Sequence, residues 1–437
     1  MREREARDST PAFRSTSRGI KPLTLSHSLL SAYSNPKISQ KPYHVQKTVD
    51  NPDTFPFHKS VSALWEQKWR QPASMGIYPF VDAQVSDFDP IFAALKTSSN
   101  DNPTILSDPD AYATPFFPIA SSLVARARTL EQSGDTPAAR DLYLRAAAVY
   151  CTARFPINRS PLSQKAWEAG KAAYMAASPC LSPPNTEVEI PFSHASPAAG
   201  ESAAAPIPAY LRLPAGEPPS EGWPLTLFIC GLHAYRTDHT PRTTAHVRRG
   251  CAVLSVEIPG TGDSPASRGD PAEAERLWSS VFEWIAGNAE KYSFDSGKVV
   301  ARGVSTGGYY AMRIAHTHAD KLLAVEWIRA QNHMEYPFAL ADVLAWKFGY
   351  GSVEAYVEGE LRKRFSLVEN GVFEMESARM LLINGMEDSI FPIEDSEVAL
   401  RFGRVKEARW VEGRGHMGNP GAEETLLGWI DEVGGGK

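Results

Sequence analysis

The sequence predicts an α/β fold, in which helices flank both faces of a mostly parallel β-sheet, with a helical domain in front of it. Three observations lead to this prediction. Past Pro219, short apolar runs alternate with helix-length segments, as in βαβ units. Between residues 55 and 177, apolar residues instead recur at helical spacing. Finally, most of the 34 prolines precede residue 220, which indicates two unlike parts.

Length and charge limit the class of partner. The chain has 437 residues, 43% of them hydrophobic, which is ample material for a buried core. Its 45 basic and 51 acidic residues give a net charge of −6, so the charge balance favours neither nucleic acid nor an anionic membrane. No run approaches the ~18 apolar residues of a membrane-spanning helix. We expect an intracellular protein, in the cytoplasm or endosome-like vesicles, that acts on a small molecule.

The N-terminal 50 residues carry scattered Arg, Lys and Ser with little periodicity, which predicts a disordered extension. The acidic residues Glu3, Glu5 and Asp8 argue against a mitochondrial transit peptide, because such peptides are poor in acids. We therefore predict three parts: a disordered extension over 1–50, a helical domain over 51–180, and an α/β catalytic domain over 181–437.

A helical hairpin is predicted around residues 133–135 of the helical domain. Its second helix, over 137–153, carries one apolar stripe formed by Ala139, Leu142, Ala146, Val149 and Tyr150. The proline-rich stretch that follows, 179–219, is interpreted as connecting sequence with two short strand-like runs, 187–190 and 210–213. Six further apolar runs are strand candidates of a parallel sheet: 225–230, 252–258, 299–303, 322–325, 380–383 and 408–411.

A candidate nucleophile lies between a predicted strand and a predicted helix. Ser305 stands in the motif Gly303-Val304-Ser305-Thr306-Gly307, after the run 299–303 and before a helix-like run over 309–315. Small residues are needed on both sides of such a serine because the strand-to-helix turn is too tight for bulky side chains. The context predicts a nucleophile elbow with Ser305 at its tip.

A serine hydroxyl needs a base, and the base needs an orienting carboxylate, which follow the serine in the order acid, then histidine in this architecture. Asp388 follows the predicted strand 380–383, and His416 follows the strand 408–411. Glu387 is an alternative orienting acid, although the turn between Gly385 and Pro392 fits Asp388 better. The sequence therefore predicts Ser305, Asp388 and His416 as the catalytic residues.

Acyl chemistry also needs backbone donors for the developing oxyanion. One candidate is the amide of Thr306, directly after the nucleophile. The second should come from the turn after the strand 225–230, where the amides of Leu232 and His233 are both candidates. The choice between these two stays open at the level of sequence.

No cofactor or metal is expected. The glycines Gly413, Gly415 and Gly418 form a G-x-G-x-x-G pattern, but too few residues follow for the βαβ unit of a dinucleotide site. They are better explained as freeing the loop that carries His416. The four cysteines form no C-x-x-C pair, so neither a zinc site nor a redox motif is predicted.

Motifs spread over both parts carry a resemblance to a known family. They are residues 64–69 (LWEQKW), 78–80 (YPF), 154–156 (RFP), 257–261 (EIPGT), 307–311 (GGYYA), 315–318 (AHTH), 365–369 (FSLVE) and 415–418 (GHMG). From about residue 55 to residue 431, the chain resembles the fungal yellowish-green pigment hydrolases. These are polyketide-shortening enzymes with the α/β-hydrolase fold, within a wider FrsA-like group that includes dihydropseudooxynicotine hydrolases.

The resemblance implies the same triad, Ser305, Asp388 and His416, and a helical N-terminal part that lines the substrate cavity. It implies an aromatic polyketide substrate: removal of acetoacetyl carbon from a heptaketide naphthopyrone would give 1,3,6,8-tetrahydroxynaphthalene, a melanin precursor. It also leads us to expect that the protein forms a homodimer.

The chain departs from the family pattern in two places. His233 stands where the relatives tend to carry Asp, and the segment 325–334 is shorter than its counterpart. Two alternatives therefore stay open. One is an esterase or acyltransferase of another secondary-metabolite pathway, and the other is a catalytically silent binding protein with a hydrolase fold.

Overall fold

The structure is a computed structural model that describes residues 55–270, 272–327, 338–359, 364–388, 393–419 and 421–433. The predicted disordered extension, 1–50, lies outside these residues, as does most of the shortened segment 325–334. Residues 51–437 form one compact unit. The predicted division at residue 180 therefore stays a prediction.

Helices make up the part of the chain before residue 180. A π-helix, Leu64–Trp69, lies between short α-helical ends, Val61–Ala63 and Arg70–Met75. The next helices are α1 (Val85–Ser99), α2 (Pro109–Ala113), α3 (Phe116–Gln132), α4 (Thr136–Ala153) and α5 (Pro161–Ala177). The predicted hairpin is α3 and α4. Helix α4 begins where the Asp135 carboxylate accepts the Ala138 amide at 3.2 Å, and all five stripe residues are buried.

Eight strands form one sheet. They are β1 (Thr186–Ile190), β2 (Ile207–Arg212), β3 (Trp223–Ile229), β4 (Ala252–Val256), β5 (Phe294–Gly303), β6 (Ala324–Trp327), β7 (Arg379–Gly385) and β8 (Glu407–Val411). Their order is β1-β2-β4-β3-β5-β6-β7-β8. Every pairing from β4 through β3 to β8 is parallel, whereas β1 pairs antiparallel with β2, and β2 with β4. The predicted mostly parallel sheet is confirmed.

One sequence interpretation is wrong. The runs 187–190 and 210–213 are strands, as predicted, but they were interpreted as part of connecting sequence, whereas β1 and β2 belong to the sheet and pair along five residues each. Prolines surround both strands without breaking them. Pro208 lies inside β2, at a half-buried position between the buried Ile207 and Ala209.

Helices cover both faces of the sheet, as βαβ units require. On one face, the buried core contains side chains of α7 (Glu273–Gly287) and α9 (Gly307–Thr317). On the other face it contains side chains of α6 (Thr240–Val247) and α13 (Ala422–Val433). The remaining helices are α8 (Ala289–Tyr292), α10 (Leu340–Lys347), α11 (Val353–Glu358) and α12 (Ile393–Ala399). The loops after β3, β5, β7 and β8 open at the same edge of this sandwich.

The four cysteines are free. Among the helices that the structure describes, none has the length and the apolar character needed to cross a bilayer.

Candidate active site

Ser305 occupies a sharp turn between β5 and α9. Its φ of +56° lies in the left-handed region, which non-glycine residues rarely adopt. A Cβ atom at Gly303 would lie 2.7 Å from the Cβ of Ala311, and a Cβ at Gly307 would lie 2.4 Å from the carbonyl oxygens of Ile229 and Cys230. The glycines on both sides are therefore required by close contacts, and the turn exposes the Ser305 hydroxyl at the end of the sheet.

The loops after β7 and β8 bring the predicted acid and base to this serine. His416 Nδ1 lies 3.1 Å from Asp388 Oδ2, and His416 Nε2 lies 3.4 Å from Ser305 Oγ. With Nδ1 donating to the carboxylate, Nε2 is left to accept the serine proton. The three predicted residues thus form one hydrogen-bonded row.

A buried amide that sequence analysis missed holds this row in place. The Asn384 side chain donates to Asp388 Oδ2 at 2.9 Å, and its oxygen accepts the Met417 amide at 3.1 Å. Asn384 therefore joins the acid loop to the histidine loop. Its position at the end of an apolar strand was a usable signal, because a polar residue there must find partners inside the protein.

Glu387, the alternative acid, is exposed to solvent, whereas the Asp388 side chain is only 1% exposed. The Glu387 amide donates to the Arg414 carbonyl at 2.9 Å and thereby pins the loop that precedes His416. Gly385 allows this packing, since a Cβ there would collide with the carbonyl oxygens of Arg414 and Gly415. The geometry places Asp388 rather than Glu387 against the histidine.

The predicted oxyanion turn, residues 231–235, lies directly against the nucleophile. A Cβ at Gly231 would lie 3.0 Å from the Val304 carbonyl oxygen and 3.3 Å from the Cβ of Ser305, so glycine lets the turn approach the nucleophile closely. The Gly231 amide donates to the Ala234 carbonyl at 3.1 Å, which closes the turn. Within the described part of the chain, the amides of Leu232, His233 and Thr306 donate to no other residue. Three candidate donors therefore stand beside Ser305.

The His233 side chain is neutral at neutral pH. Its Nδ1 donates to the Pro156 carbonyl at 2.9 Å, which leaves Nε2 as an acceptor. Burial is the main reason that the pKa of His233 falls to about 4, and the nearby Arg154 and His416 lower it further. His233 therefore adds no charge to the site.

Aromatic rings of the helical part reach this turn. The Phe155 ring lies 5.0 Å from the His233 ring and 4.9 Å from that of Phe338, between ring centroids. Phe338 in turn stacks on Trp69 at 5.2 Å. The His233 ring of the turn thus packs against an aromatic cluster that is buried in the core of the helical part.

Possible metal ligands were sought among the His, Cys, Asp and Glu side chains. Within the described ranges, no three His, Cys, Asp or Glu side chains are grouped so that they could hold a metal ion.

Comparisons with known proteins agree with the fold. No protein-family model matches the chain. The sequence is 26% identical over 269 residues to esterase FrsA of Citrobacter koseri, which covers 59% of this chain and 61% of the relative. It is also 26% identical over 287 residues to hydrolase ORFZ of Pyricularia oryzae, covering 60% and 63%. Hydrolase acrC of Aspergillus aculeatus is 29% identical over 229 residues, covering 47% and 51%.

The chain thus spans less than two thirds of the length of these relatives, all of which are named hydrolases or esterases. These similarities support a place among the α/β-hydrolases. They do not show that the chain belongs to the narrower group of pigment-shortening hydrolases.

Two solved structures have the same fold. A 2,6-dihydroxy-pseudo-oxynicotine hydrolase superposes with a TM-score of 0.60 at 18% identity, over 78% of this chain and 92% of that chain. AbyA5 superposes with a TM-score of 0.54 at 18% identity, over 72% and 88%. The predicted α/β-hydrolase fold is confirmed.

Proposed function

We propose that this protein is a serine hydrolase in which Ser305 is the nucleophile, His416 the general base and Asp388 the acid that orients it. The observation that carries the proposal is the row of contacts at 3.4 Å and 3.1 Å that joins these three side chains. Folding alone does not require a serine in a left-handed conformation beside a histidine and a buried carboxylate.

The oxyanion that forms when Ser305 attacks a carbonyl would be held by backbone amides. The amide of Thr306 and one amide of the oxyanion turn, from Leu232 or His233, are the donors that we assign to it. Each such donor typically lowers the barrier by ~2.7–4 kcal/mol. The support for this assignment is that these amides lie beside Ser305 without another acceptor among the described residues.

For the substrate, we propose an aromatic polyketide with a ketone side chain, such as a heptaketide naphthopyrone. The support for this substrate is the set of motifs shared with the yellowish-green pigment hydrolases. The product would be 1,3,6,8-tetrahydroxynaphthalene.

The reaction would be a retro-Claisen cleavage. Ser305 Oγ bonds to the ketone carbon while its proton passes to His416 Nε2. The C–C bond to the aromatic portion then breaks, its electron pair is stabilised as an enolate or phenol-type anion, and His416 returns the proton to that carbon. Water, deprotonated by His416, attacks the acyl-serine and releases acetoacetate.

A second candidate is an ester substrate. It is favoured by the similarity to FrsA of Citrobacter koseri, which is named an esterase. The same Ser305, His416 and oxyanion donors would serve it, with an alcohol instead of a carbanion as the leaving group.

The test is covalent labelling followed by product analysis. We expect a fluorophosphonate probe to label the wild-type protein on Ser305 and to leave Ser305→Ala unlabelled, with similar melting temperatures. Ser74→Ala, a change at an exposed serine, is the matched control and should label normally. Mass spectrometry after incubation with a heptaketide naphthopyrone should show acetoacetate.

Each outcome has a distinct meaning. Labelling with ester turnover but without acetoacetate would favour the esterase. A wild-type protein that neither labels nor turns over any substrate would contradict the hydrolase proposal and favour a silent binding protein.

A further inference from the structure

The segment that follows helix α4 contacts the oxyanion turn. Arg154, directly after α4, is only 1% exposed. Its Nη1 donates to the His233 carbonyl at 2.8 Å, and its Nη2 forms an ion pair with Asp238. The guanidinium carbon also lies 3.7 Å from the centre of the Tyr235 ring. One buried side chain of the helical part thus contacts three residues in or next to the turn.

Asp238 connects the same guanidinium to the end of the turn. Its Oδ2 accepts the Tyr235 amide at 2.7 Å, and its Oδ1 accepts the Thr237 hydroxyl at 2.7 Å. At the middle of the turn, the Pro156 carbonyl holds the His233 ring. The main chain is therefore held by Arg154 at the His233 carbonyl, directly after the Leu232 and His233 amides, and by Asp238 at the Tyr235 amide.

Such fixing matters because oxyanion donors stabilise a transition state only if they already face it. Within the turn itself, the bond from the Gly231 amide to the Ala234 carbonyl closes the loop, but it involves neither the Leu232 amide nor the His233 amide. A guanidinium presents its donors in a rigid plane, so it can hold a carbonyl and a carboxylate at one fixed separation. Arg154 meets this requirement, because its guanidinium contacts the His233 carbonyl and the Asp238 carboxylate at once.

We propose that Arg154 is a positioning residue, which keeps the amides of the oxyanion turn directed at the substrate carbonyl on Ser305. This inference rests on the proposed function, because a turn that binds no oxyanion needs no such orientation. A purely structural role would be different: loss of Arg154 would lower stability without a specific loss in the chemical step.

The experiment measures catalytic rate and thermal stability separately in the variants Arg154→Met and Arg154→Lys. The substrate is p-nitrophenyl butyrate, for which product release is readily followed, and the melting temperature is recorded for each variant. We expect kcat to fall about 10- to 100-fold in Arg154→Met while KM changes little, because the loss concerns the transition state. Lysine keeps the charge opposite Asp238 but cannot match the two acceptors, so Arg154→Lys should recover stability more fully than kcat.

A transition-state analogue provides the readout that a structural role would not change. An aryl trifluoromethyl ketone forms an oxyanion when Ser305 adds to it, so its inhibition constant should rise by the same factor by which kcat/KM falls. The matched control is Arg276→Met, which removes a guanidinium from the buried Glu201 carboxylate and breaks no contact with the oxyanion turn. We expect it to lower the melting temperature and to leave kcat and the inhibition constant near wild type.

Three results would overturn the proposal. The first is an Arg154→Met protein with wild-type kcat and inhibition constant, and the second is an equal loss of kcat in Arg276→Met. If Arg154→Met does not fold, Asp238→Asn keeps the size of the partner but removes its charge and one of its two acceptor oxygens. Unchanged kcat in Asp238→Asn would be the third result. A wild-type protein that is neither labelled nor active would instead refute the proposed function, and this inference with it.

Discussion

Two adjacent carboxylates, Glu387 and Asp388, have opposite surroundings. Asp388 is buried, accepts the Asn384 amide and contacts His416, whereas Glu387 faces solvent. We predict that Asp388→Asn lowers kcat by about 10³- to 10⁴-fold, because an amide can favour the wrong histidine tautomer. Steady-state kinetics with an ester that the wild-type protein hydrolyses would measure this loss.

Glu387→Gln is the control for that prediction, since it makes the same chemical change one residue earlier. We expect its kcat to stay within about threefold of wild type, as for an exposed charge without a partner in the row. If Glu387→Gln were the more damaging change, the assignment of the orienting acid would be wrong.

The sequence predicts the role of some residues of the site but not of others. Ser305, Asp388 and His416 could be predicted because each follows a recognisable strand, and parallel strands bring their following loops to one edge. Arg154 and Asp238 could not, because they lie 84 positions apart in the chain and meet only through tertiary packing. No local pattern marks such a pair.

The position of Ser305 depends on how closely helix α9 approaches strand β3. A Cβ at Gly307 would lie within 3.0 Å of the Ile229 carbonyl group, which is backbone and cannot move aside cheaply. We predict that Gly307→Ala lowers the free energy of unfolding by at least about 1–3 kcal/mol. It should also abolish fluorophosphonate labelling, because the helix start that carries the elbow must shift.

Gly428→Ala is the matched control, as Gly428 lies inside the exposed face of α13 with open space around its Cα. Removing the backbone freedom of a helical glycine should raise the unfolding free energy by about 0.5–1 kcal/mol and leave labelling intact. Urea unfolding of both variants tests the pair. Equal stability of Gly307→Ala and wild type would contradict the packing argument.

The elements themselves were predictable where their periodicity was clean. The six apolar runs past Pro219 correspond to β3 to β8, with ends that differ by up to five residues. Strands β1 and β2 were predicted as strand-like runs, but they were placed in connecting sequence because the stretch is rich in proline. Their place in the sheet depends on the pairing of β2 with β4, which lies about 40 residues further along the chain. The π-helical turn at Leu64–Trp69 has no signature in the sequence either, since its apolar residues also fit an α-helix.

Across the whole molecule, buried charges join the helical part to the sheet. Lys171 of α5 and Arg236 share the Asp263 carboxylate, each at 2.6 Å, and Arg236 also pairs with the fully buried Glu257. Together with the Arg154–Asp238 pair, these contacts give the interface fixed partners rather than an apolar surface that could slide. Removing one partner would leave a buried charge uncompensated, which is why such contacts favour one relative placement of the two parts.

Buried histidines should make the stability of the whole molecule depend on pH. His246 is fully buried, accepts a hydrogen bond from Arg302 at 2.8 Å on Nε2, and faces the Thr226 hydroxyl with Nδ1. Burial lowers the pKa of His246 to about 3, and the charge of Arg302 lowers it further, while Glu423 opposes the shift. Below pH 6.5 the unfolded chain therefore binds a proton that the folded protein excludes, and stability falls with decreasing pH.

The expected loss from His246 alone is about 1.4 kcal/mol between pH 7.5 and pH 5.5, because its ordinary pKa lies in the middle of that interval. Urea unfolding at the two pH values should show this loss in the wild-type protein and a loss smaller by about that amount in His246→Gln, whose amide oxygen can still accept from Arg302. His194→Gln, at an exposed histidine beside Glu283, is the control and should not flatten the pH dependence. An identical pH dependence in wild type and His246→Gln would mean that His246 is protonated in the folded state. The contact with Arg302 would then have to break, so the same experiment tests the packing between β5 and α6.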